Sequence, residues 1–267
     1  MIQKTFHTIL FIAFSLFQSV SAETIEVNFV FVGEQNHPAL LGVKQGLDES
    51  NLQGEFLNQK YNLDIISAEN ISTHDFSNYI AVLTAVDVDT YKKLSTTLSS
   101  MPIFNLSLND NKLRSECIDN ALHVIPSTRM LDDAKNQWKK KKPDSNVIAQ
   151  AWHPDFVKFA ARDLNKRFKK NHDVTMNDFS WSGWAAVKMT ADTVARAQIT
   201  NSEKMLSYLK TELTFDGQKG SNMNFRETGQ LRQLILLVEN DKIVAEAPVR
   251  GIAKPPSLDS LGILNCN

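Results

Sequence analysis

Two hydrophobic periodicities divide the chain. From Ile25 onward, short β-branched runs alternate with amphipathic segments, the pattern of parallel strands joined by crossover helices. The strand candidates are "IEVNFVFVG", "YNLDII", "YIAVLTAV", "PIFNLSL" and "ALHVIP". Pro38 suits a first helical turn, and Leu40, Val43 and Leu47 follow at spacings of three and four, so Pro38 to Glu49 is read as a helix. Further helices are expected over Asp89 to Ser99, with Asp89 as its N-cap, and over Arg129 to Trp138. Five strands with crossovers make a small doubly wound lobe.

Beyond the lysine run in "WKKKKPDSNVIAQAWHPDF" the period becomes helical. Pro154 is expected to open a helix lined by Phe156, Ala160, Leu164 and Phe168, with Asp155 complementing its N-terminal dipole. "SWSGWAAVKMTADTVARA" forms a second helix, and Thr200 with Glu203 fits a capping box for a third that buries Met205, Leu206, Leu209 and Leu213. "QLRQLILLVENDKIVAEAP" reads as an antiparallel hairpin turning at Asn240-Asp241, and Pro255-Pro256 keep the tail irregular.

The first residues change the compartment. Lys4, the apolar run Ile9 to Phe17 and the small-residue pattern Val20-Ser21-Ala22 are those of a secretory signal cleaved after Ala22. That run is too short to span a bilayer, and an exported, periplasmic protein is implied. In an oxidising compartment the two cysteines, Cys117 and Cys266, either pair as a disulfide or remain buried thiols. A formal net charge of −1, or −2 once the leading 22 residues with their one lysine and no acid are left out, argues against a nucleic-acid partner.

Catalytic signatures are missing. There is no G-x-S-x-G, P-loop, G-x-G-x-x-G, H-E-x-x-H or C-x-x-C, and no two histidines stand at metal-ligand spacing, so no catalytic residue, metal or cofactor is assigned. His153 with Asp155 is the one pair that a hydrolase or metal-enzyme reading would use, and it lacks convergent partners. Asp87 and Asp89 lack the regular donors of a calcium loop. Trp181 and Trp184 lie one turn apart, as packing residues or as an aromatic wall. In an open parallel sheet, ligands meet the carboxyl ends of the strands, here Gly33 to Asn36, Thr84 to Val86 and Asn105 to Ser107. Candidate contacts for a small polar ligand are therefore Glu34, Gln35, Thr84, Ala85, Asn105 and Ser107, with Trp152 and Trp184 as aromatic surfaces.

Several stretches carry a resemblance: "GVKQGLDESNLQGEFLNQKYNL", "CIDNALHVIPSTRMLDDA", "AWHPDFVKFAARDLNKRF", "WSGWAAVKMTADTV" and "FDGQKGSNMNFRETGQLRQLILLVENDKIVAEAP". In their order the chain resembles the periplasmic substrate-binding proteins of ABC transporters, of the branched-chain amino acid type. More narrowly, it looks like the subgroup associated with PQQ-dependent alcohol dehydrogenase systems. The resemblance implies a type I periplasmic-binding fold, and the missing catalytic motifs imply no enzymic activity. Its implied partners are transporter membrane subunits or a quinoprotein dehydrogenase. In that family the helix after "PSTRMLDDA" leads into a second lobe with its own strands and helices, whereas here "DDAKNQWKKKKPDSNVIAQAWHPDF" joins the two almost directly. The expected organisation is a signal peptide over 1–22, an α/β lobe over 23–128, and a reduced second lobe over 129–267 that packs back on the first and ends in the hairpin. A reduced lobe would leave an exposed surface near Trp152, open to a protein partner or to homodimer formation.

Overall fold

The computed structural model describes residues 24–220 and 222–266. The segment read as a secretory signal lies outside the described residues. Strands β1 (Ile25–Gly33), β2 (Gln59–Ile66), β3 (Ala81–Ala85), β4 (Ile103–Asn105) and β5 (Ala121–His123) form one parallel sheet in the order β2-β1-β3-β4-β5. Side chains of a strand point alternately to its two faces, and β1 shows it: Val27, Phe29 and Phe31 enter one core, Val30 and Val32 the other. A strand with both faces apolar is a strand buried on both sides, and helices cover each face.

On one face lie α1 (Pro38–Leu57) and α6 (Asp178–Ala197); on the other lie α2 (Val88–Thr97) and α3 (Asn111–Ser115), through Tyr91, Leu94 and Leu113. Three glycines let α1 and α6 touch backbone to backbone. A Cβ on Gly42 would stand 1.7 Å from the Ser180 carbonyl oxygen, one on Gly183 2.2 Å from that of Ala39, and one on Gly46 2.9 Å from Val187 Cβ.

A second, antiparallel sheet joins β6 (Ile148–Gln150), β7 (Ile235–Glu239) and β8 (Lys242–Ala247) in that order. Asn240 and Asp241, with φ of 50° and 57°, make the tight turn of the hairpin. Helix α4 (Thr128–Lys141) covers one face of this sheet through Met130, Ala134 and Trp138, while Leu236 joins the main core together with Trp152 and Phe156. Helices α5 (Ala161–His172) and α7 (Ser202–Thr211) complete the described elements of regular length. Cys117 and Cys266 are disulfide-bonded and tie the tail to the end of α3. Arg226 holds the same tail through the Leu258 and Leu261 carbonyls, both at 2.6 Å.

The structure departs from the sequence expectations in local chemistry. No helix opens at Pro154: α5 starts seven residues later, after Phe159 and Ala160 adopt φ of 53° and 66°. Asn165 donates to the carbonyls of His153, Pro154 and Phe156 and so fixes a turn where helix was expected. Asp155 consequently complements no helix dipole; its N–H donates to His153 Nδ1. The N-cap of α2 is Asp87, whose side chain accepts from Thr90 N, and Asp89 sits in the first turn. Asn201 caps α7 in place of the expected Thr200–Glu203 box. Helix α1 runs on to Leu57, and α3 and β6 appear where no element was expected. Three of the lysines, Lys139 to Lys141, form the last turn of α4, where cations complement the helix C-terminus.

Candidate functional site

At the carboxyl ends of β4 and β5 a cleft of about 410 Å³ opens between the parallel sheet, the N-terminus of α6 and the tip of the β7–β8 hairpin. Ser107 and Asn109 line it from the segment after β4, Ile125 and Pro126 from that after β5, Gln150 from the end of β6, and Trp152, His153 and Pro154 from the segment that follows it. Asn177, Asp178 and Phe179 close it from α6, and Asp241 reaches in from the hairpin.

The floor is fixed by a buried polar network. Asn105, fully buried, accepts from Ser107 N (3.2 Å) and Leu108 N (2.8 Å) and donates to Leu108 O (2.7 Å), so its side chain shapes the loop that carries Ser107. Arg114, also fully buried, donates to the carbonyls of Leu108 (2.6 Å), Asp110 (2.9 Å) and Ile125 (2.9 Å) and to Gln230 Oε1 (3.0 Å). An arginine satisfied by carbonyls instead of a carboxylate stitches both strand-end loops together. Burial, then the nearby Arg114 charge, pushes the His123 imidazole well below its ordinary range, so the ring is neutral at pH 7; its Nδ1 meets Asn105 Nδ2 at 3.0 Å.

The opposite wall is aromatic and acidic. Trp152 stacks on Trp181 with centroids 5.9 Å apart, and its Nε1–H donates to Asn165 Oδ1 at 2.8 Å. Asp178 accepts the Trp152 N–H at 2.7 Å, which pins this wall to the start of α6; burial holds its carboxyl above the usual carboxylate range. Behind it lies Lys219, fully buried, with Nζ 3.9 Å from the Trp181 ring centroid and 2.8 Å from Gln233 Oε1. Desolvation pushes this ammonium down to about 7. His153, whose Nδ1 accepts from Asp155 N, donates through Nε2 to Asp241 Oδ1 at 3.2 Å, which joins the hairpin tip to the cleft wall.

Of the residues singled out from the sequence, Ser107 and Trp152 meet in this cleft, and Asn105 lies directly beneath it. Thr84 donates to the Phe104 carbonyl within the sheet, and Ala85 is buried at the end of β3. Glu34 and Gln35 are exposed on the loop after β1, next to His37, whose ring meets Phe179 edge-on at 5.3 Å. Trp184 lies outside the cleft: it faces α1, and its Nε1–H donates to Glu49 Oε2 at 2.9 Å. Trp152 itself is buried. Sequence reasoning missed Gln150, Asn177, Asp178 and Asp241. Only Asn177-Asp178, an N-cap pair ahead of "FSWSGW", left a readable sign. Among the described residues no cluster of three or more His, Cys, Asp or Glu is placed to hold a metal, and no helix is long and apolar enough to cross a membrane.

No protein-family model matches the chain, and no curated protein matches it. Solved structures do. A branched-chain amino acid ABC transporter periplasmic ligand-binding protein from Burkholderia xenovorans LB400 superposes with a TM-score of 0.69 at 10% identity, over 82% of this chain and 95% of that one. The branched-chain amino acid transporter substrate-binding protein of Streptococcus pneumoniae, in complex with isoleucine, gives 0.61 at 11% identity, over 84% and 99%. An ABC transporter substrate-binding protein of Desulfitobacterium hafniense in complex with leucine gives 0.66 at 8% identity, over 83% and 99%. At such identities the likeness speaks to the fold, and the fold of this chain is that of the type I periplasmic binding proteins.

Proposed function

We propose that this chain is an exported, non-catalytic binding protein that holds a small polar ligand in the cleft between Ser107, Trp152 and Asn177. The observation that carries the reading is the cleft itself: its volume of about 410 Å³ lies within the range of roughly 300–1,000 Å³ typical of small-molecule sites. It combines apolar Leu131, Trp152, Met176 and Phe179 with the amide and hydroxyl groups of Ser107, Asn109, Gln150 and Asn177. Such a lining suits a molecule with an aliphatic part and a polar head. The isoleucine and leucine complexes of proteins with this fold make branched-chain amino acids the first compounds to test.

The part beyond residue 128 acts, in this reading, as a reduced second lobe built on a three-stranded sheet. One apolar core runs from Phe29 and Phe31 to Leu236, which favours a preformed cleft over wide hinge closure. Transporter membrane subunits are the proposed partners, or a second copy covering the open side of the cleft. The sequence stretches quoted above further support a link to a quinoprotein alcohol-oxidation system; neighbouring genes encoding such a dehydrogenase would support it, and their absence would remove it.

Isothermal titration of the mature protein with leucine, isoleucine and a panel of small alcohols and acids tests the binding role. Saturable heat that disappears in Ser107→Tyr, which fills the cleft, is expected. Heat that persists in that variant would place binding elsewhere. No heat with any compound would favour a protein-interaction module that has lost its ligand.

A further inference from the structure

A second concavity, a groove of about 600 Å³, runs along the β8 edge of the antiparallel sheet and uses none of the cleft's residues. Its floor is the edge strand β8, through Ile243, Val244 and Ala245; Phe156 to Lys158 form one bank, and Trp138, Lys141 and Pro248 to Arg250 form the other. Two aliphatic side chains stand open in it, Val157 at 50% and Val244 at 41% exposure. Both line the groove, so they give it a short apolar strip beside its charges.

The charges are uneven. Lys158 is paired with Glu246 at 2.7 Å, which neutralises both. Lys141 and Arg250 have no acidic partner among the described residues; Lys141 rests over the Trp138 ring, 6.0 Å from its centroid. Asp155 is the acid in the lining without an ion pair, and Lys139, Lys140 and Lys142 add exposed positive charge at the end of α4 beside Lys141. Lys141 and Arg250 thus give the apolar groove its basic rim, while Lys140 lines a separate concavity beside Asp133 and Gly251.

Three occupants can be compared. A small ligand would rest against Val157 and Val244, whose half-exposed side chains cover little of it. A second copy docking by the same face would bring Lys141 and Arg250 of both molecules together, because a two-fold contact uses one patch twice. Strand addition along β8 is also blocked, since the register slips at Leu237/Val238 so that Val244 bulges, and Lys242 flanks it, both devices that protect an edge. An extended acidic segment of another protein fits all three facts.

We propose that this groove docks an acidic, aliphatic-bearing segment of a partner protein, read by side chains: carboxylates on Lys141 and Arg250, aliphatic groups on Val157 and Val244. The test uses the full mature chain and a fluorescein-labelled peptide of alternating glutamate and valine, followed by anisotropy at low salt. Saturable binding is expected, weakened at least tenfold in K141E/R250E and at least threefold in V244S, with leucine titration heats unchanged. A glutamate-only peptide should bind at least threefold more weakly than the alternating one. No saturable binding up to millimolar peptide, equal binding by the charge-reversed variant, or equal binding of the glutamate-only peptide would overturn the proposal. Sedimentation of the free protein closes the remaining route: a dimer dissolved by K141E/R250E would also overturn it, in favour of a second copy.

Discussion

Gly42→Ala is the sharpest test of how the cleft is held. Two effects oppose each other. Alanine in a helix interior is favoured over glycine by about 1 kcal/mol, so propensity alone predicts a stabilised α1. Against this, the new methyl would stand 1.7 Å from the Ser180 carbonyl oxygen and 2.6 Å from its carbon, and both are backbone atoms that cannot rotate away. Relief requires α1 and α6 to part by roughly 1.5 Å to reach carbon–oxygen contact at 3.2 Å or beyond, in an interior packed as densely as an organic crystal. Overpacking of this kind costs about 1–3 kcal/mol, and a rigid backbone obstacle puts it at the upper end. The net expectation is a loss of about 2 kcal/mol, or a fall in Tm of roughly 4–8 °C for a chain of this size. Gly183→Ala, with 2.2 Å to the Ala39 oxygen, should behave similarly, and Gly46→Ala, which meets the Val187 side chain at 2.9 Å, should lose less. Urea unfolding followed by tryptophan fluorescence gives the three values. Because Asn177 to Phe179 stand at the start of α6, the first two variants should also weaken ligand binding. A Gly42→Ala protein as stable as the parent would refute the close helix crossing on which the cleft wall depends.

Other outcomes follow from the buried groups. Asn165→Ala leaves the Trp152 Nε1–H and three carbonyls without their partner and should cost about 1–3 kcal/mol, read by the same unfolding assay. Lys219 binds its proton less well folded, at about 7, than unfolded, near 10.5, so the unfolded chain holds more protons between those values and stability should rise with pH across that window. Lys219→Met should abolish that rise, while Asp178, held above its ordinary value, acts in the opposite sense at acid pH. Reducing the Cys117–Cys266 bridge, which spans a separation of 149 residues, should lower stability by up to about 5 kcal/mol on chain entropy, measured by urea unfolding with and without reductant.

The parallel strands themselves were readable because strands buried on both faces must be nearly continuous in apolar residues, as "VNFVFV" and "AVLTA" are. Local signals misled where a side chain distant in sequence decided the outcome. Pro154 resembles a helix opener, yet Asn165 claims three carbonyls ahead of α5 and holds them in a turn. Three-residue β6 carries too little pattern to be seen at all, and it exists because β7 pairs with it. The site was legible only in part for the same reason. Ser107 could be found from the rule that ligands meet strand ends, but Gln150 and Asp241 reach the cleft through tertiary packing that no local spacing encodes. Trp181 and Trp184 stand one turn apart and still face different neighbours, Trp152 for one and Glu49 for the other.

A crystal structure of the protein grown with saturating leucine or isoleucine tests the central claim most directly. The account predicts one ligand molecule in the cleft, its polar head among Ser107, Asn109 and Asn177 and its aliphatic part against Trp152 and Met176. An empty cleft at a concentration where titration shows saturation, or a ligand seated elsewhere on the chain, would contradict it.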